Sequence, residues 1–275
     1  MKVGFIGLGT MGFQIAKNLS KNQKINIFTR NKDKIIKFNK SYNSQIFNNY
    51  KDLVIDSDLI FTCLPTSNEV NEICENLKLS KKKKYFIDLT SGDYNLTVEI
   101  SDKLLKKNII MLDAPISGGP EKAEKGTLTS MIGGNEEDYL YLEKYFKQYS
   151  IPNYVGKIGS AHAIKSVNNL LNVTNLIIAN EGIKSLEEKG IDANTALNVI
   201  NQSSGRSLMT QERIPKHVIE KNHYYGFKLN LMKKDVKLAL NLIRDKKYFE
   251  SILEKINNTL DKYEDNCDYT YVCKD

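Results

Sequence analysis

The stretch from Val3 to Leu19, VGFIGLGTMGFQIAKNL, constrains the fold of this 275-residue chain more than any other. An apolar strand runs into Gly7, Gly9 and Gly12 in G-x-G-x-x-G register, and an amphipathic helix follows at once. In a dinucleotide fold the first glycine permits the tight turn. The second lets backbone approach a pyrophosphate, and the third lets the helix pack close to the strand. The helix N-terminus then offers N–H groups and a positive dipole end to the phosphates. A lone motif of this kind also occurs as a glycine turn in other α/β proteins. The strand–loop–helix context is what favours a dinucleotide site.

The rest of the chain extends this pattern. VGFIG, INIFT, LIFTCLP, YFIDLT, IIMLDAP and LTSMIGG read as strands, with helical stretches such as TVEISDKLLKK between several of them. Such alternation implies βαβ units and a mainly parallel sheet covered on both faces. Beyond Gly159 the strand signals stop. Residues 160–189, 192–203, roughly 206–221, 231–245 and 248–264 carry helical periodicity, with Asp192 as an N-cap. The expected fold is α/β: a Rossmann-type doubly wound parallel sheet over residues 1–158, then an all-α domain over 159–275.

An NAD site usually carries an acid about 20 residues past the glycine loop, to bind a ribose hydroxyl. Here the strand INIF ends in Thr29, Arg30 and Asn31, and the first acid is Asp33. A carboxylate repels a 2′-phosphate, whereas a guanidinium forms charge-assisted bidentate bonds to it. The bland alternative is a solvated post-strand arginine. NADP(H) is therefore expected in preference to NAD(H).

Composition excludes several classes of function. The net charge of +7 comes from scattered lysines, without a basic stripe interleaved with aromatics, so no nucleic-acid partner is expected. The one tight run, Lys81–Lys84, reads as a solvated turn before a strand. Cys63, Cys74, Cys267 and Cys273 form no metal-spaced cluster; no metal is expected, and a reducing cytoplasm is. Neither a signal peptide nor a membrane-spanning run is apparent, so no membrane association is expected.

Two further segments carry chemistry. In LDAPISGGP a strand ends at Ser117, Gly118 and Gly119, whose N–H groups and hydroxyl can hold a carboxylate; an ordinary tight turn would look the same. In GSAHAIKSVNNLLN, Lys165, Asn168, Asn169 and Asn172 share one face of a largely apolar helix. That face is either solvated or a site where a lysine gives a proton to a carbonyl oxygen and amides orient the substrate.

Taken in order, GLGTMGFQIAKNL, DAPISGG, KSVNN and FKLNLMKKDVKLAL resemble the β-hydroxyacid dehydrogenases, which include 3-hydroxyisobutyrate dehydrogenases and glyoxylate or succinic semialdehyde reductases. The resemblance implies that Gly7, Leu8, Gly9, Thr10, Met11 and Gly12 carry the pyrophosphate, and that Thr29–Asn31 take the adenosine ribose and its phosphate. It implies cofactor contacts at Leu64, Pro65, Val70, Thr90 (or Ser91) and Lys234, and a substrate-carboxylate turn at Ser117–Gly119. Lys165 matches the family's catalytic lysine, a general acid/base. Asn169, Phe227 and Asp235 match its substrate-binding residues. The substrate is then a small carboxylated aldehyde or 2-oxo acid, and a homo-oligomer, dimer or tetramer, is expected. Ile116 stands where valine is common, LTSGDYN lacks a proline, and Arg206 and Met209 are further pocket candidates. Imine-reducing relatives usually replace the lysine, so Lys165 points to carbonyl chemistry. Competing readings are an NAD-dependent 3-hydroxyisobutyrate dehydrogenase and a catalytically silent NADP-binding protein. A phosphogluconate-type enzyme would be longer.

Overall fold

The computed structural model describes residues 1–264 and 266–274. They pack as two units, Met1–Lys165 and Ser166–Asp275. The first holds strands β1 (Val3–Ile6), β2 (Ile25–Phe28), β3 (Ser44–Ile46), β4 (Leu59–Thr62), β5 (Lys84–Asp88), β6 (Ile109–Asp113), β7 (Ile116–Ser117), β8 (Leu128–Gly133) and β9 (Ser150–Gly156). Between them lie helices α1 (Thr10–Ser20), α2 (Lys32–Ser41), α3 (Tyr50–Asp56), α4 (Ser67–Glu75), α5 (Tyr94–Leu105), α6 (Gly119–Lys125) and α7 (Glu136–Phe146).

The sheet runs β3-β2-β1-β4-β5-β6-β8-β7, with β9 paired to β8. From β3 to β6 every pairing is parallel; β8 turns antiparallel to β6 and β7. Strand order reverses between β1 and β4, the switch point where ligands of such sheets bind. The strands read as unbroken apolar runs because both faces are covered. Phe5, Phe61 and Ile87 enter one core layer, while Ile6, Ile60 and Phe86, one residue out of step, enter the other.

The six strands expected from sequence are present, together with three that are not legible in it. β3 is three residues of half-exposed edge, β7 is two residues long, and β9 carries Pro152 and pairs only with β8. Edge strands lack the two-sided apolar run that marks a central one.

The lysine run departs from its solvated reading. Lys81–Lys83 are exposed, but Lys84 is buried in β5, and its ammonium donates to Val54 O at 2.7 Å, Ile55 O at 2.8 Å and Ser57 O. It closes the carbonyl end of α3, which no local cap serves. Lys84→Met strands three acceptors and is expected to cost about 2–4 kcal/mol. Circular dichroism should then show a Tm lower by roughly 5–10 °C; an unchanged Tm would deny the lysine this role.

The second unit is helical. Helix α8 (Ser160–Glu187) begins in the first unit and continues here, followed by α9 (Ala193–Asn201), α10 (Leu229–Leu242) and α11 (Lys247–Lys262). Asp192 caps α9, accepting from Thr195 N at 2.8 Å. The helix expected near 206–221 is a π-helical segment, Met209–Ile219, containing Pro215. Proline cannot supply the ordinary bond four residues back, and the wider turn accommodates its ring. Its core gathers Leu170, Val173, Leu176, Met232, Val236 and Ile256, with a short 3-10 turn at Tyr269–Cys273. Among the described residues no helix is long and apolar enough to cross a membrane.

Candidate active site

The glycine loop divides its labour by position. Gly7 has φ of 104°, a conformation L side chains avoid, and donates its N–H to Phe28 O at 2.9 Å. A Cβ there would strike Cys63 O, and one at Gly12 would strike Gly7 O and come 3.2 Å from Cys63 Cβ. Helix α1 is thus pressed onto the ends of β1 and β4. Gly9 is the exception: a Cβ there meets nothing within 4 Å. Backbone lies open on that side, as a ligand approaching the chain requires.

Helix α1 starts at Gly9 with no side-chain cap and no acid in its first turn. Helices α2, α3, α4, α5, α7 and α9 are all capped by side chains: Asn31, Asn49, Thr66, Asp93, Asn135 and Asp192. The uncapped dipole end beside the open Gly9 backbone fits an anionic group such as a pyrophosphate. Leu8 is buried, while Thr10 is exposed and Met11 half-buried beside it. Burial pushes the Cys63 thiol up to about 12, so it stays protonated beneath the loop.

At the end of β2, Asn31 is spent on capping α2 by accepting from Lys34 N at 3.0 Å. Thr29 is half-buried. Arg30 is exposed and has no hydrogen-bond or ion-pair partner among the described residues. Lys32 and Lys34 add exposed positive charge at the same end.

The segment after β4 rests on a buried polar chain. Asp88 Oδ1 accepts from Thr62 Oγ1 at 2.9 Å and from Thr90 N at 3.0 Å. Thr90 Oγ1 in turn accepts from Leu64 N at 3.2 Å. Thr90 is 1% exposed, so it holds the Leu64–Pro65 loop from below. Val70 differs from its expected place at a cofactor surface. It is fully buried in the core under α4, because the Thr66–Glu69 capping box starts the helix just before it and turns its side chain inward.

Ser117 ends β7, Gly118 follows with φ of 134° as the N-cap of α6, and Gly119, with φ of 73°, opens that helix. The value at Gly118 is open in practice to glycine alone and that at Gly119 favours it, and both residues are half-buried in the turn.

Lys165 is 9% exposed on α8, one helical turn before Asn169. In the helical unit, Asn169 donates to Asp235 Oδ2 at 2.5 Å and accepts from Asn168 at 3.2 Å, and Lys234 lies 3.1 Å from Asp235 Oδ1. Asn169 and Asp235 are thus held by each other. Phe227 is half-buried, packing edge-on against Tyr269 at 6.0 Å, and its N–H donates to Asp268 at 3.0 Å. Arg206 is exposed, whereas Met209, 2% exposed, is a core residue rather than a pocket one.

Several residues that organise these segments carry no local sequence signal. Asp113, at the end of β6, accepts from Gly159 N at 2.8 Å and His162 N at 2.9 Å and so anchors the start of α8. Asp268 receives Gly226 N at 2.7 Å as well as Phe227 N. Their partners lie 46 and 42 residues away.

A doubly wound sheet, an open glycine loop at its switch point and a following helical unit define an NAD(P)-binding oxidoreductase of the Rossmann type. The family profile described as the NAD binding domain of 6-phosphogluconate dehydrogenase matches residues 2–191. The profile described as NAD-binding of NADP-dependent 3-hydroxyisobutyrate dehydrogenase matches residues 159–267. The chain belongs to the β-hydroxyacid dehydrogenase family. It is 30% identical to 2-(hydroxymethyl)glutarate dehydrogenase of Eubacterium barkeri, over 87% of this chain and 81% of that protein. It is 33% identical to the mitochondrial 3-hydroxyisobutyrate dehydrogenase of Homo sapiens, over 86% of this chain and 74% of that one. The fold is shared with the Mycobacterium tuberculosis 3-hydroxyisobutyrate dehydrogenase solved with L-serine. That match has a TM-score of 0.91 at 21% identity, covering 99% and 97% of the two chains.

Proposed function

We propose that this chain is an NADP(H)-dependent enzyme interconverting a small carboxylated aldehyde or 2-oxo acid and its hydroxy acid. The observation that carries this reading is Lys165, a nearly buried lysine one turn before the amide that Asp235 grips. Burial of a cation is costly unless it has partners or a task. In this reading Gly7–Gly12 hold the pyrophosphate, Thr29 and Arg30 the 2′-phosphate, and Leu64 and Pro65, supported from below by Thr90, the nicotinamide side, with Lys234 a further contact. When bound, the dinucleotide supplies or accepts the hydride. Ser117–Gly119 dock the substrate carboxylate through backbone N–H groups and a hydroxyl. Asn169, kept in one orientation by Asp235, and Phe227 orient the rest of the substrate. Lys165 gives its ammonium proton to the carbonyl oxygen as charge develops there, and recovers it in the oxidative direction.

Arg30 supports the cofactor preference, because its guanidinium is uncommitted and no carboxylate stands between β2 and the first turn of α2. Buried thiols at Cys74 and Cys273, with no disulfide among the described residues, suit a reducing compartment, and we assign the enzyme to the cytosol as a homo-oligomer.

The test is a panel of glyoxylate and succinic, tartronate and methylmalonate semialdehydes with NADPH and NADH, for the wild type and Arg30→Ala. The wild type should reduce one or more of them faster with NADPH. Losing a charged phosphate contact should raise the NADPH KM about 10- to 100-fold and leave the NADH KM within a few-fold. No turnover with any carboxylated carbonyl would end the functional reading. An unchanged cofactor preference would remove Arg30 from it.

A further inference from the structure

His162 is a buried titratable residue that the proposed chemistry leaves unused. It is 1% exposed, in the first turn of α8, three residues before Lys165. Its backbone N–H is held by Asp113 Oδ2 at 2.9 Å. Its ring lies in a slot that exists because residue 92 is glycine: a Cβ there would come 2.6 Å from ring Cε1. Nδ1 is 2.7 Å from Thr97 Oγ1 on α5. Among the described residues Nε2 has no hydrogen-bond partner, and it faces Asp88 Oδ2 at 3.9 Å.

The neighbouring hydroxyl limits where the ring proton can sit. Thr97 Oγ1 lies 2.6 Å from Asp93 O as well as 2.7 Å from Nδ1, and it has one proton to donate. If that proton goes to Nδ1, the neutral ring must carry its own on Nε2. If it goes to Asp93 O, Nδ1 must be a donor. That arrangement leaves a bare Nε2 pointing its lone pair at a buried carboxylate, which low dielectric makes expensive, whereas Asp93 O already accepts from Thr97 N at 3.0 Å and does not need the hydroxyl proton. The first arrangement is therefore favoured, with the ring's own N–H on Nε2, aimed at Asp88.

Asp88 is the hub below the Leu64–Pro65 loop, since its other oxygen accepts from Thr62 and Thr90, and Thr90 accepts from Leu64. We propose that His162 is a positioning residue whose Nε2–H, facing Asp88, ties the start of α8, and hence Lys165, to the Asp88–Thr90–Leu64 chain. This rests on the functional reading above for what Lys165 and the loop do. The histidine sets the register between them: if the tie is lost, proton donor and cofactor loop drift independently, and misplacement of about 1 Å can cost about 100-fold in rate.

Two substitutions and one spectrum test this. A glutamine amide reaches about as far as Nε2, whereas an asparagine amide reaches only as far as Nδ1. His162→Gln should keep kcat within a few-fold of wild type. His162→Asn should lower kcat about 10- to 100-fold at an unchanged substrate KM, although both variants should lose similar Tm. Equal kcat in the two variants, or losses that follow Tm alone, would overturn the proposal. The second readout is the imidazole ¹⁵N spectrum of the cofactor-free protein, with the His162 signals assigned by their loss in His162→Gln. A protonated Nε2 is expected, and a bare Nε2 sinks the idea whatever the kinetics. Because the spectrum needs no turnover, its failure is distinguishable from failure of the functional reading, which appears as a wild type inactive across the substrate panel.

Discussion

Lys165→Met is expected to lower kcat by about 10²- to 10⁴-fold, the usual worth of a positioned proton donor, while leaving Tm and NADPH binding near wild type. Methionine keeps an unbranched stem of similar length and gives up the ammonium. Because Lys165 is 9% exposed, the substitution removes a desolvation cost together with the ammonium's polar contact, so the change in Tm should be small beside the loss of kcat. The proposed mechanism loses the group that neutralises the developing alkoxide, which acts mainly in the transition state. The loss should therefore fall on kcat more than on substrate KM. Steady-state kinetics beside a thermal melt and a cofactor titration make the measurement. Near-normal turnover in the folded variant would show that some other group donates the proton.

The second large effect belongs to the glycine loop, where two neighbouring glycines should behave differently. At Gly12 an added methyl meets the Gly7 carbonyl oxygen, a backbone atom that cannot swing away, and Cys63 Cβ at 3.2 Å. Helix α1 must then lift from β1 and β4. Overpacking of this kind costs about 1–3 kcal/mol, so Gly12→Ala should lower Tm by several degrees and weaken dinucleotide binding at least tenfold. At Gly9 the same methyl meets nothing within 4 Å. Gly9→Ala should leave Tm unchanged yet still weaken binding, because its methyl occupies space the phosphates need. Calorimetric titration with NADPH beside a thermal melt separates the two. Equal Tm losses at both positions would mean that the loop is packed otherwise than described.

The success and failure of sequence reading along this chain follow from the range of the interactions. Strands such as Ile25–Phe28 and Leu59–Thr62 announce themselves because burial on both faces demands apolar residues throughout. Asp192 is legible as a cap because its partner is three residues away. Arg30 and Lys165 are legible as candidates because their chemistry is unusual for their immediate setting. Lys84 misleads for the opposite reason: in sequence it is the fourth of four lysines, and only the fold brings the carbonyls of Val54, Ile55 and Ser57 to its ammonium. Val70 misleads in the other direction, since only packing shows that its side chain enters the core beneath α4.

The amino-acid sequence by itself determines the doubly wound half, the helical half, the glycine loop and the candidate side chains for the proposed carbonyl chemistry. These depend on periodicity and on contacts within a few residues, which any linear reading samples. The polar contacts that tie distant segments together within each unit were decided by tertiary structure alone. Asp113 grips Gly159 and His162, Asp88 gathers Thr62 and Thr90, and Asp268 secures Gly226 and Phe227. In the unfolded chain each of these groups hydrogen-bonds to water, and nothing distinguishes one aspartate from another. Once the sheet closes over them, a buried polar group must find a partner or bear a cost of about 1–3 kcal/mol. That penalty selects the pairings from residues far apart in the chain.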